Sequence, residues 1–564
     1  MNIRAMIETA PPGAGERSGK RWRAHALAVA ALTACAAIGY CVFALGLYHT
    51  FQTTSYDLVI FDQAVRSYAH FHSGISVIKG AHNFFGPNFP ILGDHWSPIL
   101  ASLAPLYWIY NGPVTLLVAQ AVLFALAIPP LWVFTRRAFG GGRKALASAY
   151  LVCVAYALSW PLASALAFDF HEVAFAPVLT AVALERLSAG RLRTALIALG
   201  ALLLVKEDMG LFVAGIGLYL AVSRPRVVRR QLTVAVALIV GGLADTVIAT
   251  YILIPAFGGR ASYYWAYTAL GPHAPQAAWH VITHPASLKV LVTPEIKLQT
   301  MLWLFGAFCF LSLRSPMALA AIPLLLERML ANIFSNWWVT GFQYNAYLVA
   351  ILVFAAVDGA ARLDCQLLRR RHRASAAERA AAQGPAAGPR QAAAAGQDAA
   401  APGSAGRHRR AWRSWLLGPW SAALACAVAM CAVAVALVPH FAFGPALHAS
   451  FYQQDVQAQA AAAADAAVPS GVTVEAVNNL GPQLSGRDTV LLWDGDGGTP
   501  PLGAPWVVAN VSQPQFTFSG LPEQEQRVAL LESNGYRVVF ERDGYLVLHR
   551  VGSPASTARK ETAG

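Results

Sequence analysis

The chain has 564 residues, of which 56% are hydrophobic and 13% are charged. Soluble domains carry about 25% charged residues, so this composition excludes a soluble enzyme of the ordinary kind. The formal net charge is +13, but Lys and Arg lie between long apolar runs. That placement is typical of a multi-pass membrane protein, and we expect no nucleic-acid partner.

The apolar runs define the predicted membrane helices. A bilayer-spanning helix needs about 20 apolar residues, and on that basis charge, Pro and Gly divide the chain into about eleven spans. The first run exceeds the roughly 7–15 residues of a signal-peptide core, so we expect it to remain uncleaved. The predicted spans are 24–47, 113–134, 145–167, 173–187, 194–206, 209–223, 232–256, 298–313, 315–331, 344–361 and 414–438.

Basic residues predict the orientation, because Lys and Arg in short loops mark the cytoplasmic side. A cytoplasmic N-terminus places the basic loops 136–144, 186–193 and 224–230 inside, together with Arg314. We therefore predict a protein of the bacterial cytoplasmic membrane. Its regions are a cytoplasmic tail (1–23), a transmembrane core (24–361) with a large first outer loop (48–112), a disordered Ala/Arg-rich cytoplasmic linker (362–413), a last membrane helix (414–438) and an extracytoplasmic α/β domain (439–564).

The outer domain is predicted from short β-type runs. Arg542-Asp543-Gly544 is a hairpin signal between the last two runs, and Gly535 ends a helical segment at 522–534. The predicted strands are Val472–Val477, Thr489–Trp493, Trp506–Val511, Tyr536–Glu541 and Tyr545–His549.

The first outer loop opens with several candidate reactive groups. Asp57 follows the first span, where a carboxylate is either an interfacial cap or a reacting group. Asp62, Arg66 and His70 recur four residues apart, which predicts an amphipathic helix on the membrane surface. Asp62 and Arg66 alone are equally well explained as a surface ion pair.

Three further polar groups fall on the predicted outer side. They are Asp94-His95, the turn Asp169-Phe170-His171-Glu172, and Lys206-Glu207-Asp208. Clustered His and acidic residues bind metals or move protons, although Phe175 stands where a zinc-protease motif needs a second His. Charges near membrane depth are usually functional, with an internally paired structural cluster as the alternative. Asp245, near the middle of a span, indicates either a helix–helix hydrogen bond or an ion pathway.

These motifs, taken in order, resemble a family of bacterial membrane proteins known as domain of unknown function 2079. The resemblance rests on Tyr56-Asp57-Leu58, Asp94-His95 with Ser97-Pro98, Asp169-Phe170-His171-Glu172 and Val205-Lys206-Glu207-Asp208. It covers roughly residues 50–360, and Leu480–Trp493 is similar too, whereas the Ala-rich insert does not match.

That family is similar in layout to the GT-C glycosyltransferases, which take a sugar from a polyprenyl-phosphate carrier on the non-cytoplasmic side. The similarity implies that Asp57 occupies the place of their reacting carboxylate. Asp57 departs from the commonest GT-C signature, because no acid follows it within two positions. The choice of base and a possible divalent cation therefore stay open.

The sequence thus predicts an all-α polytopic core with a small α/β domain and a leading function of lipid-linked sugar transfer to an envelope glycan or protein. The alternatives are a transporter or lipid flippase and a non-catalytic envelope scaffold. Predicted catalytic residues are Asp57, Asp62, Asp94, His95, His171 and Glu172. Predicted substrate-binding residues are Arg66, Asp169, Lys206, Glu207 and Asp208.

Overall fold

The computed structural model describes residues 14–223, 229–382, 421–495 and 503–551. Within these ranges the chain is mostly helical, with one five-stranded sheet near the C-terminus. This confirms the predicted fold class, a helical core with a small α/β domain. Several predicted regions lie partly outside the described residues. They are the tail (1–13), the basic segment 224–228, the linker (383–413), the start of the last membrane helix (414–420) and two parts of the outer domain (496–502 and 552–564).

Six described helices are long and apolar enough to cross a membrane, which makes the chain a multi-pass membrane protein. Three shorter apolar helices accompany them, and the total of about eleven spans stays a prediction. The predicted span 298–313 is shorter as a helix, since it ends at Gly306 before two left-handed residues, Cys309 and Phe310. The six long helices are Trp22–His49, Val114–Ala138, Arg143–Ala167, Gln231–Ala256, Gln343–Arg379 and Ala422–His440.

The longer α-helices are joined by short 3-10 and π turns. Before the outer domain they are Ala14–His49, Ile60–Ala69, Val77–His82, Val114–Ala125, Ile128–Ala138, Arg143–Ala157, Trp160–Ala167, Phe175–Ser188, Leu192–Leu202, Met209–Val222, Arg229–Ile248, Ala274–Thr283, Ile296–Gly306, Ile322–Leu330, Ala346–Ala382 and Ala422–Leu437. The outer domain adds Val456–Ala467 and Leu521–Ser533.

The predicted start of the disordered linker is wrong by about six helical turns. Helix Ala346–Ala382 continues well past residue 361. Ala, Arg, Leu and Glu in this stretch are strong helix formers. Arg362 also pairs with Asp358 one turn earlier, at 2.6 Å, which supports continuation of the helix.

The outer domain forms a mixed sheet of five strands, β1 Thr473–Ala476, β2 Thr489–Leu492, β3 Trp506–Asn510, β4 Tyr536–Arg542 and β5 Tyr545–Arg550. Their order in the sheet is β2-β1-β3-β5-β4. Strand β1 is parallel to β2 and β3, while β5 is antiparallel to β3 and β4. The predicted strands are confirmed to within one or two residues at each end.

Helix Ile60–Ala69 is packed beneath this domain and not laid on the membrane surface as predicted. Most of its residues are buried. Gln63 Nε2 donates a hydrogen bond of 2.9 Å to the main-chain oxygen of Val490 in β2. The outer domain covers the polar face of this helix, which the sequence pattern predicts to face water.

The outer domain and the basic loop 136–144 lie at opposite ends of the helix bundle. Gln483 donates to the main-chain oxygen of Tyr48 at 2.7 Å, so the domain sits at the C-terminal end of the first span. At the other end of that span, Trp22 packs against Trp132 with ring centroids 5.9 Å apart, next to Arg136. Because Lys and Arg in short loops mark the cytoplasmic side, this arrangement agrees with an extracytoplasmic outer domain.

Candidate active site

The site is built around a turn at the end of the first span. Asp57 has φ +97° and ψ −68°, a backbone conformation that L-residues rarely adopt. The preceding residues hold this turn in place, since the Thr54 N–H and hydroxyl donate to Asp169 Oδ2 at 2.8 and 2.7 Å. Backbone strain of about 1–3 kcal/mol persists only where its surroundings enforce it, and it concentrates at functional sites.

Asp57 faces His171. Its Oδ2 lies 3.4 Å from His171 Nε2, and its side chain is 24% exposed whereas that of His171 is 5% exposed. Burial favours the neutral acid, but the charge and hydrogen bond of His171 and the charge of Lys79 outweigh it. The pKa of Asp57 is therefore lowered below its ordinary value. An ionised carboxylate with an accessible oxygen has the properties of a general base.

Gln120, on a membrane helix, holds the second turn of the site. Its Nε2 donates to the main-chain oxygen of Asp169 at 2.7 Å, and its Oε1 accepts from the His171 N–H at 3.2 Å. Asp169 also has a positive φ, +65°. Burial raises the pKa of Asp169 to about 7 against the hydrogen bonds from Thr54, and the Asp57 charge adds to that rise.

A buried ion pair lies beyond His171. Lys206 Nζ is 3.2 Å from Glu172 Oε1, and the two side chains are 9% and 1% exposed. The ammonium also lies 5.8 Å from the centre of the Tyr344 ring. Burial raises the pKa of neighbouring Asp208 to about 7; the Lys206 charge opposes this, while the charges of Glu207 and Glu172 add to it.

His95 and Glu207 form the next pair. His95 Nδ1 is 2.8 Å from Glu207 Oε1, and the Trp96 N–H donates to the other carboxylate oxygen at 3.1 Å. Burial favours neutral His95, but the Glu207 charge outweighs it and raises the pKa of His95. The imidazole stacks on the Tyr264 ring with centroids 4.7 Å apart.

Lys79 and Asp94 connect His95 to the Asp57 turn. Lys79 Nζ lies 3.0 Å from Asp94 Oδ1 and 3.4 Å from the Tyr56 hydroxyl, and the Tyr264 hydroxyl donates to Asp94 at 2.6 Å. Burial favours neutral Lys79, but the Asp94 charge raises the pKa of Lys79 above its usual range. The Asp57 turn and the three ion pairs therefore lie in one region, which contains the cationic side chains of Lys79, His95 and Lys206.

Asp62 and Arg66 stand apart from this region. Asp62 is fully buried; it pairs with Arg66 at 2.6 Å and accepts from the Tyr107 hydroxyl at 2.7 Å and the Ser485 hydroxyl at 2.5 Å. Arg66 Nε also donates to Asn111 at 2.8 Å. These contacts, which join the outer loop to the outer domain, favour a structural role for both residues.

The structure therefore gathers most of the predicted residues. Those brought together are Asp57, Asp94, His95, Asp169, His171, Glu172, Lys206, Glu207 and Asp208. Asp245 lies half-buried on helix Arg229–Ile248, and its Oδ2 has no hydrogen-bond partner in the described part of the chain. Within the same residues, no three His, Cys, Asp or Glu side chains are arranged to hold a metal ion. A divalent cation remains an untested prediction.

Sequence reasoning missed Lys79, Gln120 and Tyr264. Lys79 could have been found from the sequence, because it is a lone cation in the apolar stretch Ser76–Gly80. In the structure it is 2% exposed. Gln120 is likewise a single amide within a predicted span. Tyr264 had no local signal, because its role depends on a contact with Asp94, which is distant in sequence.

These features define a multi-pass membrane protein with a buried, charged site at the end of the bundle that carries a small α/β domain. Residues 47–381 match the family described as "Predicted membrane protein (DUF2079)". The chain belongs to this family, as its motifs predict.

Solved structures provide a more distant comparison. ArnT from Cupriavidus metallidurans bound to undecaprenyl phosphate is 14% identical with a TM-score of 0.46, covering 93% of this chain and 98% of that one. Its apo state is 13% identical with a TM-score of 0.45, covering 91% and 97%. No curated protein matches the sequence.

Proposed function

We propose that the protein is a glycosyltransferase that moves a sugar from a polyprenyl-phosphate donor to an envelope acceptor on the extracytoplasmic face of the bacterial inner membrane. The observation that carries this proposal is the pairing of Asp57, ionised and partly exposed in a strained turn, with His171. Cationic side chains lie in the same region, at the end of the helix bundle that carries the outer domain.

Each reacting group has a candidate partner. The acceptor hydroxyl oxygen attacks the sugar C1 while Asp57 takes its proton. The bond between C1 and the phosphate oxygen breaks, and its electron pair leaves with the polyprenyl phosphate. Lys206, Lys79 and His95 supply positive charge for that phosphate. Glu172, Asp94 and Glu207 hold these three groups in place through the pairs described above.

The distribution of charge favours transfer over transport. A transport pathway needs polar groups through the depth of the membrane. The predicted pathway residue Asp245 forms no ion pair within the described ranges, whereas the other groups pair with one another at one end of the bundle. A scaffold would not require a strained, ionised carboxylate, so it is the weaker alternative.

The proposal is tested with the full-length protein in lipid nanodiscs. Each of a panel of short-chain polyprenyl-phosphate hexoses and pentoses is added with envelope membranes as the acceptor source, and released polyprenyl phosphate is measured by mass spectrometry. We expect the wild type to consume at least one donor and Asp57→Asn to consume none.

Asp543→Asn provides a matched control. Asp543 is also an aspartate with a positive φ, +46°, but it is exposed on the hairpin of the outer domain. It should retain wild-type turnover. Full turnover by Asp57→Asn would remove Asp57 from the base role, and no consumption of any donor by the wild type would contradict the proposed function.

A further inference from the structure

The outer domain contacts the backbone immediately before Asp57 through one residue. The main-chain oxygen of Asn478 accepts from the Ser55 N–H at 2.6 Å and from the Ser55 hydroxyl at 3.0 Å. The Asn478 side-chain oxygen accepts from the Tyr56 N–H at 2.8 Å. Three hydrogen bonds thus fix the two residues that lead into the strained turn.

The topology of the sheet explains why Asn478 reaches this position. Asn478 lies just after β1, the central strand of the parallel set, and Asp494 lies just after β2. The carboxyl ends of parallel strands meet at one edge, where side chains are free to face a ligand or another part of the protein. Asp494 Oδ2 lies 2.9 Å from His82 Nδ1 on the outer loop, so the ends of β1 and β2 both face that loop.

Gly481 allows the close approach. A Cβ atom at this position would lie 2.1 Å from Ser55 Oγ and 2.9 Å from the Val490 side chain. Real side chains do not tolerate such a contact, so the absence of a side chain at residue 481 lets the outer domain touch Ser55. The fit is specific to the segment that precedes Asp57.

We infer that Asn478 and Gly481 are positioning residues, through which the outer domain holds the Asp57 carboxylate in its reactive orientation toward His171. The inference deepens the proposed function and rests on it for the reactive role of Asp57. Residue 478 lies beyond the family match, which ends at residue 381, so the outer domain completes a site whose charged groups lie within the matched region.

The first experiment compares single substitutions at the contact. Asn478→Ala removes the acceptor for the Tyr56 N–H, whereas Asn478→Asp keeps an acceptor oxygen there. We expect Asn478→Ala to lower kcat at least tenfold with an unchanged KM for the donor. Its acidic pH limb should move upward, because the loosened turn weakens the His171 contact that lowers the pKa of Asp57. Asn478→Asp should restore most of the activity.

Two neighbours supply controls. Asn479→Ala removes a hydrogen bond to the Tyr545 hydroxyl inside the outer domain and leaves the turn untouched. Gly481→Ala displaces Ser55 without removing a hydrogen-bonding group, whereas Gly486→Ala adds the same methyl where the nearest atom is 3.6 Å away. Asn479→Ala and Gly486→Ala should behave as wild type, and Gly481→Ala should behave as Asn478→Ala.

A second measurement separates this inference from the proposed function. A water-soluble carbodiimide labels protonated, accessible carboxyls, and peptide mass spectrometry reports labelling at Asp57. Asn478→Ala and Gly481→Ala should each increase that labelling at least threefold in the folded protein, even if no sugar donor is found for the wild type. Wild-type labelling and turnover in both variants would overturn the inference.

Discussion

Asp57 and Asp62 are five positions apart, yet their surroundings give them different chemistry. Asp62 is fully buried, with Arg66 and two hydroxyls on its oxygens, whereas Asp57 meets one imidazole at 3.4 Å and stays partly exposed. A general base needs an oxygen free to receive the proton of its substrate. Asp57 therefore suits the reacting role, and Asp62 the role of joining two parts of the protein.

Substitution of Asp62 should affect stability more than substitution of Asp57. Asp62→Ala leaves the Tyr107 and Ser485 hydroxyls without their acceptor, and each unpaired buried group costs about 1–3 kcal/mol. We expect a clear fall in the thermal midpoint of the detergent-purified protein, and almost none for Asp57→Asn. Equal midpoints for the two variants would contradict this division of roles.

The Lys206–Glu172 pair should combine structural and chemical roles. Lys206→Met leaves Glu172 buried without a counter-ion, and breaking a buried pair in this way costs about 3–5 kcal/mol. The double variant Lys206→Met/Glu172→Gln should recover most of the thermal midpoint but none of the transfer activity. Recovery of activity in the double variant would show that the Lys206 charge is not needed for the departing phosphate.

Asp169 should make stability fall as pH rises. Its pKa is about 7 in the folded protein against 3.8 when free, so between these values the folded state retains a proton that the unfolded chain has lost. This contribution is present in full below pH 3.8 and is lost as pH rises to about 7, with a maximum slope near 1.4 kcal/mol per pH unit.

Asp169→Asn tests this sign directly. The variant keeps an amide oxygen as an acceptor for Thr54 but cannot ionise. Its thermal midpoint between pH 5 and pH 8 should fall less steeply than that of the wild type. An identical slope in the two proteins would show that Asp169 titrates normally.

Among the elements, those with a local signal were predictable. Apolar runs of membrane length and alternating β-type runs gave the long helices and the five strands, because burial and pairing follow directly from such patterns. The helix Ile60–Ala69 was located correctly but placed on the wrong surface. Its cover, the outer domain, comes from a part of the sequence more than 400 residues away, as the contact between Gln63 and Val490 shows.

The candidate site was predictable as a set of motifs and not as a geometry. Each acid and His stood out because charge is rare beside apolar runs, and nine of the eleven predicted residues share one region. The ion pairs could not be predicted from the sequence, because His171 contacts Asp57 and Glu207 contacts His95 only after the helices pack. The role of Asn478 could not be predicted, because an Asn in a polar loop resembles any other turn residue.

At the scale of the whole molecule, the site and the outer domain share one end of the bundle, and the basic loop 136–144 lies at the other. This predicts which residues face the cytoplasm. In a cysteine-free background, Gln513→Cys on the exposed outer domain should react with a membrane-impermeant maleimide in intact spheroplasts. Arg373→Cys, exposed on helix Ala346–Ala382, should react only after permeabilisation. The opposite pattern would place the site in the cytoplasm.

The central claim is that a lipid-linked sugar phosphate binds between Asp57 and the cationic side chains. The most direct measurement is a structure of the protein in nanodiscs with a short-chain polyprenyl-phosphate sugar and the Asp57→Asn substitution to prevent turnover. We predict that the phosphate lies within about 3 Å of Lys206, Lys79 or His95, with the sugar C1 facing residue 57. A headgroup bound beside Asp245, or away from residues 57 and 171, would contradict the account.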